Sequence, residues 1–214
     1  MRQSIRALSR VHPRLYWRPM SSPPADGRSP SRVVTLAHGD TISLRAMTSA
    51  DGHRLVAFAR ELPPDDLLFL SVDLTDADAV ARWIEGLGAG RLVGVVAEDE
   101  GTMAGYAALL HHDVTWQRHL GEIFVHVGAR HRARGLGRAL AAEISAIARD
   151  LGLRKFVARM TPDQKGAVST FERLGFKTEA LLADFVIDTD GRTRDILVMA
   201  RDVPAPAPPG GGHP

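Results

Sequence analysis

The chain contains no cysteine, which excludes a disulfide framework and a cysteine nucleophile and fits a reducing cytoplasm, the compartment expected for it. No stretch approaches the ~18 continuous apolar residues of a membrane-crossing helix, so no membrane partner is expected. Nor is there an internal repeat. His111, His112 and His119 match no standard zinc spacing in a chain without Cys, and no metal is expected. An excess of positive charge is missing too, once its distribution is considered. The sequence pI is near 9.4, but seven arginines (Arg2, Arg6, Arg10, Arg14, Arg18, Arg28 and Arg32) fall in residues 1–32 against one acid, Asp26. Beyond residue 32, 20 of the 27 basic side chains face 24 of the 25 acidic ones. That balance argues against a nucleic-acid-binding surface.

With 214 residues, 44% of them hydrophobic, the chain should build one globular domain with a sizeable core. Its expected extent is 33–203, between an arginine-rich leader (1–32) and a Pro/Gly tail (204–214) disordered on composition. The first five leader arginines recur every four residues, as on one helix face. The acid-poor composition also has the look of a transit peptide. Pro13, Pro19, Pro23 and Pro24 interrupt a long helix, which favours a mobile tail or residues ahead of a start at Met20.

What is present in abundance is punctuated periodicity. Thr41 to Arg45 alternates as a strand, and Thr48 can cap a helix over 49–61 that Pro63 and Pro64 stop. A second helix is expected over 76–86 with Thr75 as its cap. Arg91 to Glu98 and Thr102 to Leu110 form a hairpin about Asp99-Glu100-Gly101. Gly121 to Val127 reads as a strand, and Leu136, Leu140, Ile144, Ile147 and Leu151 share one face of the helix that follows. A further strand, 155–160, makes this a βαβ unit, so one locally parallel pair sits in an otherwise antiparallel sheet. The chain ends in a hairpin, 182–187 with 193–199, about Asp190-Gly191. The class is mixed α/β.

The most informative stretch runs from Val125 to Arg138, where an apolar strand enters a basic turn that opens the long helix. Main-chain N–H groups there, backed by the positive end of the helix dipole, suit a diphosphate. Gly135 and Gly137 keep side chains out of the way. Arg130, Arg132, Arg134 and Arg138 add charge, with no acid between Glu122 and Glu143. A P-loop would need Lys-Ser or Lys-Thr where Arg138-Ala139 stands, and a dinucleotide fingerprint would need a third small residue at Leu140.

The pattern Arg132-Ala133-Arg134-Gly135-Leu136-Gly137 resembles the Gln/Arg-x-x-Gly-x-Gly/Ala signature of the GCN5-related N-acetyltransferases. Gln164 to Phe176 is similar to that family's second cofactor motif, an Asn-x-x-Ala helix ending in Tyr-Glu-x-x-Gly-Phe. The resemblance covers roughly residues 41–203. The resemblance implies a mostly antiparallel sheet of about six or seven strands, splayed between the fourth and fifth (121–127 and 155–160) and flanked by about four helices. It implies acetyl-CoA as co-substrate. Val125, His126 and Val127 would border the pantetheine, with a turn or bulge at Val127-Gly128 exposing backbone groups. Arg132, Ala133, Arg134, Gly135, Leu136, Gly137 and Arg138 would hold the diphosphate, and Gln164 and Phe171 the pantetheine arm.

In several relatives a glutamate at the position of Glu122 takes the acceptor amine's proton, directly or through water. Here that residue equally reads as a strand-end glutamate, solvated or paired with Arg118. His126 shares its strand face and reads better as a packing histidine than as a relay. The family's tyrosine general acid falls on Phe171, so the thiolate must leave unprotonated or take its proton elsewhere. Trp116 is either an acceptor-site residue or a loop anchor, and Asp65, Asp66, Asp73, Asp76 and Asp78 either attract a cationic acceptor or form a solvated surface. The expected activity is direct acetyl transfer from acetyl-CoA to an amine, by a monomer or homodimer. The segment Leu62 to Leu68 and the Asp-rich helix resemble domains that modify protein lysines, which favours that acceptor. The alternative is a non-catalytic domain that senses acyl-CoA or holds a partner.

Overall fold

The structure, a computed structural model, describes residues 31–203 apart from 69, 112–115 and 189. The expected leader up to residue 30, the tail 204–214 and His112 lie outside the described residues. Strands β1 (Ser31–Thr35) and β2 (Thr41–Ala46) come first, followed by helices α1 (Gly52–Arg60), α2 (Pro64–Leu67) and α3 (Ala77–Gly88). Next come β3 (Leu92–Asp99), β4 (Thr102–His111), β5 (Leu120–Val127), α4 (Leu136–Asp150) and β6 (Lys155–Met160). The last elements are α5 (Lys165–Arg173), β7 (Lys177–Ile187) and β8 (Thr193–Asp202).

The eight described strands form one sheet in the order β1-β2-β3-β4-β5-β6-β8-β7. Every neighbouring pair is antiparallel except β5 with β6. The sheet thus has the mixed, mostly antiparallel character that the period of the sequence predicts. Strand β1 and helix α2 are additions. β1 carries almost no buried face to betray it, and its Ser31 and Arg32, expected in the leader, pair with Arg45 and Leu44 of β2.

Two cores sandwich the sheet. On one face α4 and α5 cover Val95, Ala107, Leu109, Ile123, Phe156 and Met199. Leu136, Leu140, Ile144 and Ile147 are buried there, as their spacing predicts, and Leu151 packs at the margin. On the other face α1 and α3 bury Leu55, Phe58, Val80 and Ile84 against Val96 and Tyr106.

Two helix starts differ from expectation. Ser49–Asp51 is a 3-10 turn ahead of α1, and the Asp51 carboxylate accepts the Thr48 N–H at 2.8 Å. At α3 the cap is Asp76, whose Oδ1 accepts from the N–H of Asp78 and Ala79, while Thr75 turns its hydroxyl to Asp73. Thr48 keeps the cap position of that turn in a reciprocal box with Asp51, whereas at α3 the Asp76 carboxylate, a stronger acceptor than a hydroxyl, takes the place expected of Thr75.

Asp51 also joins α1 to the sheet. Arg45 of β2 donates to it with both terminal nitrogens, at 2.8 and 2.6 Å, and Arg45 and Arg54 both donate to Glu98 of β3. Burial alone would raise the Asp51 pKa, but the hydrogen bonds from Arg45 and Thr48 outweigh it and bring it from 3.8 to about 2. The folded value lies below the unfolded one, so this stabilisation is complete above about pH 3.8 and is lost as pH falls towards 2. Asp51→Asn should therefore cost about 3 kcal/mol in urea unfolding at neutral pH, because Arg45 keeps its charge in a half-buried place. The deficit should shrink as the pH is taken below 3.8.

Candidate active site

β5 and β6 begin side by side and then part. Their parallel pairing consists of Leu120 with Lys155, Gly121 with Phe156, and Glu122 with Val157, and it stops there. β5 meanwhile stays in register with β4 through Val127, and the N–H of Gly128 extends that ladder to the Ala104 carbonyl at 2.9 Å. In an antiparallel ladder alternate residues spend their backbone groups on the same neighbour. Phe124, His126 and Gly128 spend theirs on β4, so Val125 and Val127 turn theirs towards the widening gap beside β6. The β4–β5 register runs through Val127 without a shift, so of the expected turn or bulge at Val127-Gly128 no bulge forms, and a 3-10 turn over Ala129–His131 begins after Gly128. The groups are exposed because β6 leaves, not because β5 kinks. The backbone of His126 is correspondingly taken up by Tyr106 and is not offered to the gap.

The first turn of α4 closes one end of this gap. A β-carbon at Gly137 would touch Val127 at 3.6 Å and Val125 and Thr170 at 3.9 Å, so the helix start rests against both β5 and α5. The turn before it holds two left-handed residues, Ala133 (φ 59°) and Gly135 (φ 91°). Alternation of ordinary and left-handed residues gathers successive N–H groups into a concave anion site. The N–H groups of Leu136, Gly137 and Arg138 have no acceptor inside the helix, and the Leu136 side chain is buried as an anchor. Arg134 is tied back to Asp40 at 2.7 Å, and its carbonyl accepts the Ala37 N–H at 3.0 Å. Behind it lies an open cavity of about 490 Å³ whose walls include Asp40, Glu98, Asp99 and Glu100. Four carboxylates make that cavity unsuitable for a diphosphate.

The short helix α2 lies across the gap and is held from three sides. Gln164 donates its amide to the Asp65 carbonyl while accepting the Thr161 N–H at 3.0 Å. Arg132 donates to the Asp66 carboxylate and, through Nε, to the Val127 carbonyl at 3.2 Å. His126 Nε2 lies 3.1 Å from the Asp66 carbonyl and so carries the ring proton, leaving Nδ1 buried without a partner. Burial pushes its pKa below the ordinary value against the opposing pull of Asp66, and the neutral ring stacks on Tyr106 at 5.2 Å. His126 is a packing and pinning residue. Phe171 is 7% exposed and meets Phe176 edge to face at 5.0 Å, in the core beneath the gap.

Glu122, Phe124 and His126 share the sheet face that carries the early helices, as alternation requires. Phe156, Ala158 and Met160 are buried on the α4 side, which leaves Arg159 on the face of Glu122. The partner of Glu122 is this Arg159, with Nη1 to Oε1 at 2.9 Å, rather than Arg118.

These features coincide with one family. The profile described as the acetyltransferase (GNAT) family matches residues 52–176. The chain belongs to the GNAT acetyltransferases. Over 129 residues it is 30% identical to the L-amino acid N-acyltransferase MnaT of Escherichia coli (strain K12), covering 58% of this chain and 72% of that one. Among solved structures it resembles yncA of Salmonella typhimurium, determined with its cofactor acetyl-CoA, with a TM-score of 0.66 and 22% identity over 80% of this chain and 99% of that chain. It also resembles a ribosomal-protein-alanine N-acetyltransferase from Brucella melitensis, with a TM-score of 0.64 and 26% identity over 74% of this chain and 98% of that chain.

As a GNAT enzyme the chain has a sheet whose parting follows from the pairing alone, whereas Arg159 and the bridging role of α2 escaped sequence reasoning. Strand alternation from Phe156 could have found Arg159. Among the described residues no group of three or more His, Asp and Glu side chains is placed to hold a metal, and no helix is long and apolar enough to cross a membrane. Trp116 is 75% exposed, while Asp73 and Asp76 serve a turn and a cap. The left-handed turn makes opposite predictions at its two special positions. Gly135→Ala should cost about 1 kcal/mol of unfolding free energy, and Ala133→Gly should be neutral or gain up to about 1 kcal/mol. Urea titration of the two variants checks the sign.

Proposed function

We propose that the chain transfers an acetyl group from acetyl-CoA directly to an amine, with Glu122 as the base that receives the amine's proton. The observation that carries this reading is the position of Glu122, at the last β5–β6 pair and on the open face of the gap. The residues present fit the co-substrate. The turn from Ala133 to Arg138 offers main-chain donors to a diphosphate, with Arg130 and Arg138 nearby, and Val125 offers backbone groups to an extended amide-bearing arm. When bound, acetyl-CoA supplies an acyl thioester whose C–S bond breaks as the new N–C bond forms, coenzyme A leaving as the thiolate.

The chain's own residues then account for the proton. Glu122 accepts it from the acceptor ammonium or, through water, from the amine as it attacks. No tyrosine replaces the one missing at Phe171 among the described residues. Tyr106 is fully buried under His126, and burial raises its pKa, which makes it a poor acid. A thiol pKa of ~8.5 lets the leaving group depart as the anion. Resemblance to lysine-modifying domains favours a protein lysine as acceptor, and the name of the Escherichia coli relative favours a free L-amino acid. The Glu122–Arg159 pair supports the second.

Glu122→Gln should lower kcat/KM by about 10²-fold or more, with the deficit growing as the pH falls and more of the amine is protonated. The assay is thiol release from acetyl-CoA with amino acids, small amines and lysine peptides. Unchanged turnover would remove Glu122 as base. Saturable coenzyme A binding with no acceptor-dependent release would favour a non-catalytic sensor instead. Asp66 competes with the diphosphate for Arg132, so Asp66→Asn should tighten coenzyme A binding about two- to fivefold. The gain should fade at high salt. Calorimetry at two ionic strengths measures both.

A further inference from the structure

We propose that Arg159 selects the acceptor, its guanidinium holding the carboxylate of an α-amino acid whose amine is presented to Glu122. This rests on the transferase reading above. The two side chains come from adjacent parallel strands, point to the same face, and meet at 2.9 Å where β5 and β6 begin to part. Arg159 is 52% exposed at its side chain and Glu122 21%, so both can be reached by a small solute.

An α-amino acid carries its ammonium and its carboxylate on one carbon. A neighbouring carboxylate and guanidinium form the complementary pattern, and Arg offers a planar fork suited to two parallel hydrogen bonds with a carboxylate. A zwitterion entering here replaces one ion pair by two and changes no net charge. A lysine side chain brings only an ammonium. It would have to displace Arg159 from Glu122 and leave that cation beside it, a like-charge contact. Stability gives no competing reason for the pair, since exposed ion pairs contribute little. Asp66 and Arg132, also at the gap, satisfy one another.

The test compares an L-amino acid with its α-amide and with the matching decarboxylated amine, using wild type, Arg159→Ala and Arg159→Lys. Wild type should prefer the free acid at least 10-fold in kcat/KM. In Arg159→Ala that preference should collapse, mainly through a KM for the free acid raised about 10- to 100-fold, and Arg159→Lys should restore part of it. Saturation-transfer NMR on the coenzyme A-loaded protein should show the amino acid bound to wild type and lost from Arg159→Ala, with equal coenzyme A affinity in both. If wild type treats the amide and the decarboxylated amine as well as the free acid, or prefers a lysine peptide, Arg159 is not an anchor and acetyl transfer still stands. Retention of the preference in Arg159→Ala would count against the anchor in the same way. If no amine of any class releases thiol, the transferase reading falls and this proposal with it.

Discussion

The parting of β5 from β6 after three residue pairs is the constraint from which the site follows. Each strand is fully committed elsewhere. β5 makes seven pairs with β4, and β6 makes six with β8. The first turn of α4 lies against Val125, Val127 and Thr170, so it packs between β5 and α5. Unpaired backbone in a sheet costs free energy, and here that cost leaves donors and acceptors of Val125 facing open space. The left-handed Ala133 is a second local cost in the same few residues. Both deviations lie along the path on which a diphosphate and its extended arm would run.

Helix α2 links the parts of the gap. It takes one bond from β5 through His126, one from the basic turn through Arg132 and one from α5 through Gln164. With only four residues it cannot hold itself as a helix, so its position depends on these side chains. The neutral His126, buried on Tyr106 and donating to a carbonyl, gives a bond that does not change with pH in the neutral range. The bonds from Arg132 and Gln164 are exposed and weak by comparison, and those two residues are the ones a phosphate and an amide-bearing ligand would also draw on. On the proposed reading, occupancy of the gap and the placement of α2 would be coupled through these shared donors.

Much of this is legible in the sequence because two periods are strong. The five apolar positions of α4 and the flanking strands identify the βαβ unit, and its glycine-arginine turn stands out by its lack of acids. β1 is not legible because an edge strand with one half-buried residue carries no alternation. The cap of α3 falls on Asp76, one residue from Thr75, because threonine and aspartate both serve as caps, and only geometry decides which side chain reaches the free N–H. A turn or bulge at Val127-Gly128 is expected because unpaired groups are needed there; the turn follows Gly128, but the groups are freed by strand divergence. Ion-pair partners are the least readable. Arg118 is near Glu122 in sequence, but Arg159 is its neighbour across the parallel pair, and only the register Glu122 with Val157 brings them together.

Charge accounting ties the two unusual features of the reaction centre together. On the proposed mechanism, with no hydroxyl at Phe171, the departing thiolate would keep its negative charge, and Glu122, having taken the amine's proton, would have lost its own. Arg159 is then a cation beside a neutral Glu122 side chain, and its charge is available to whatever anion stays in the gap. If a carboxylate of the acetylated product occupies the guanidinium, the positive charge remains matched throughout, and the burden on a missing acid is limited to a thiolate that water can solvate at the mouth. A product with no carboxylate would leave Arg159 unmatched until Glu122 loses its proton again. With Glu122 as the proposed base, its pairing with Arg159 and the absence of a tyrosine acid would both suit an acceptor that carries its own negative charge.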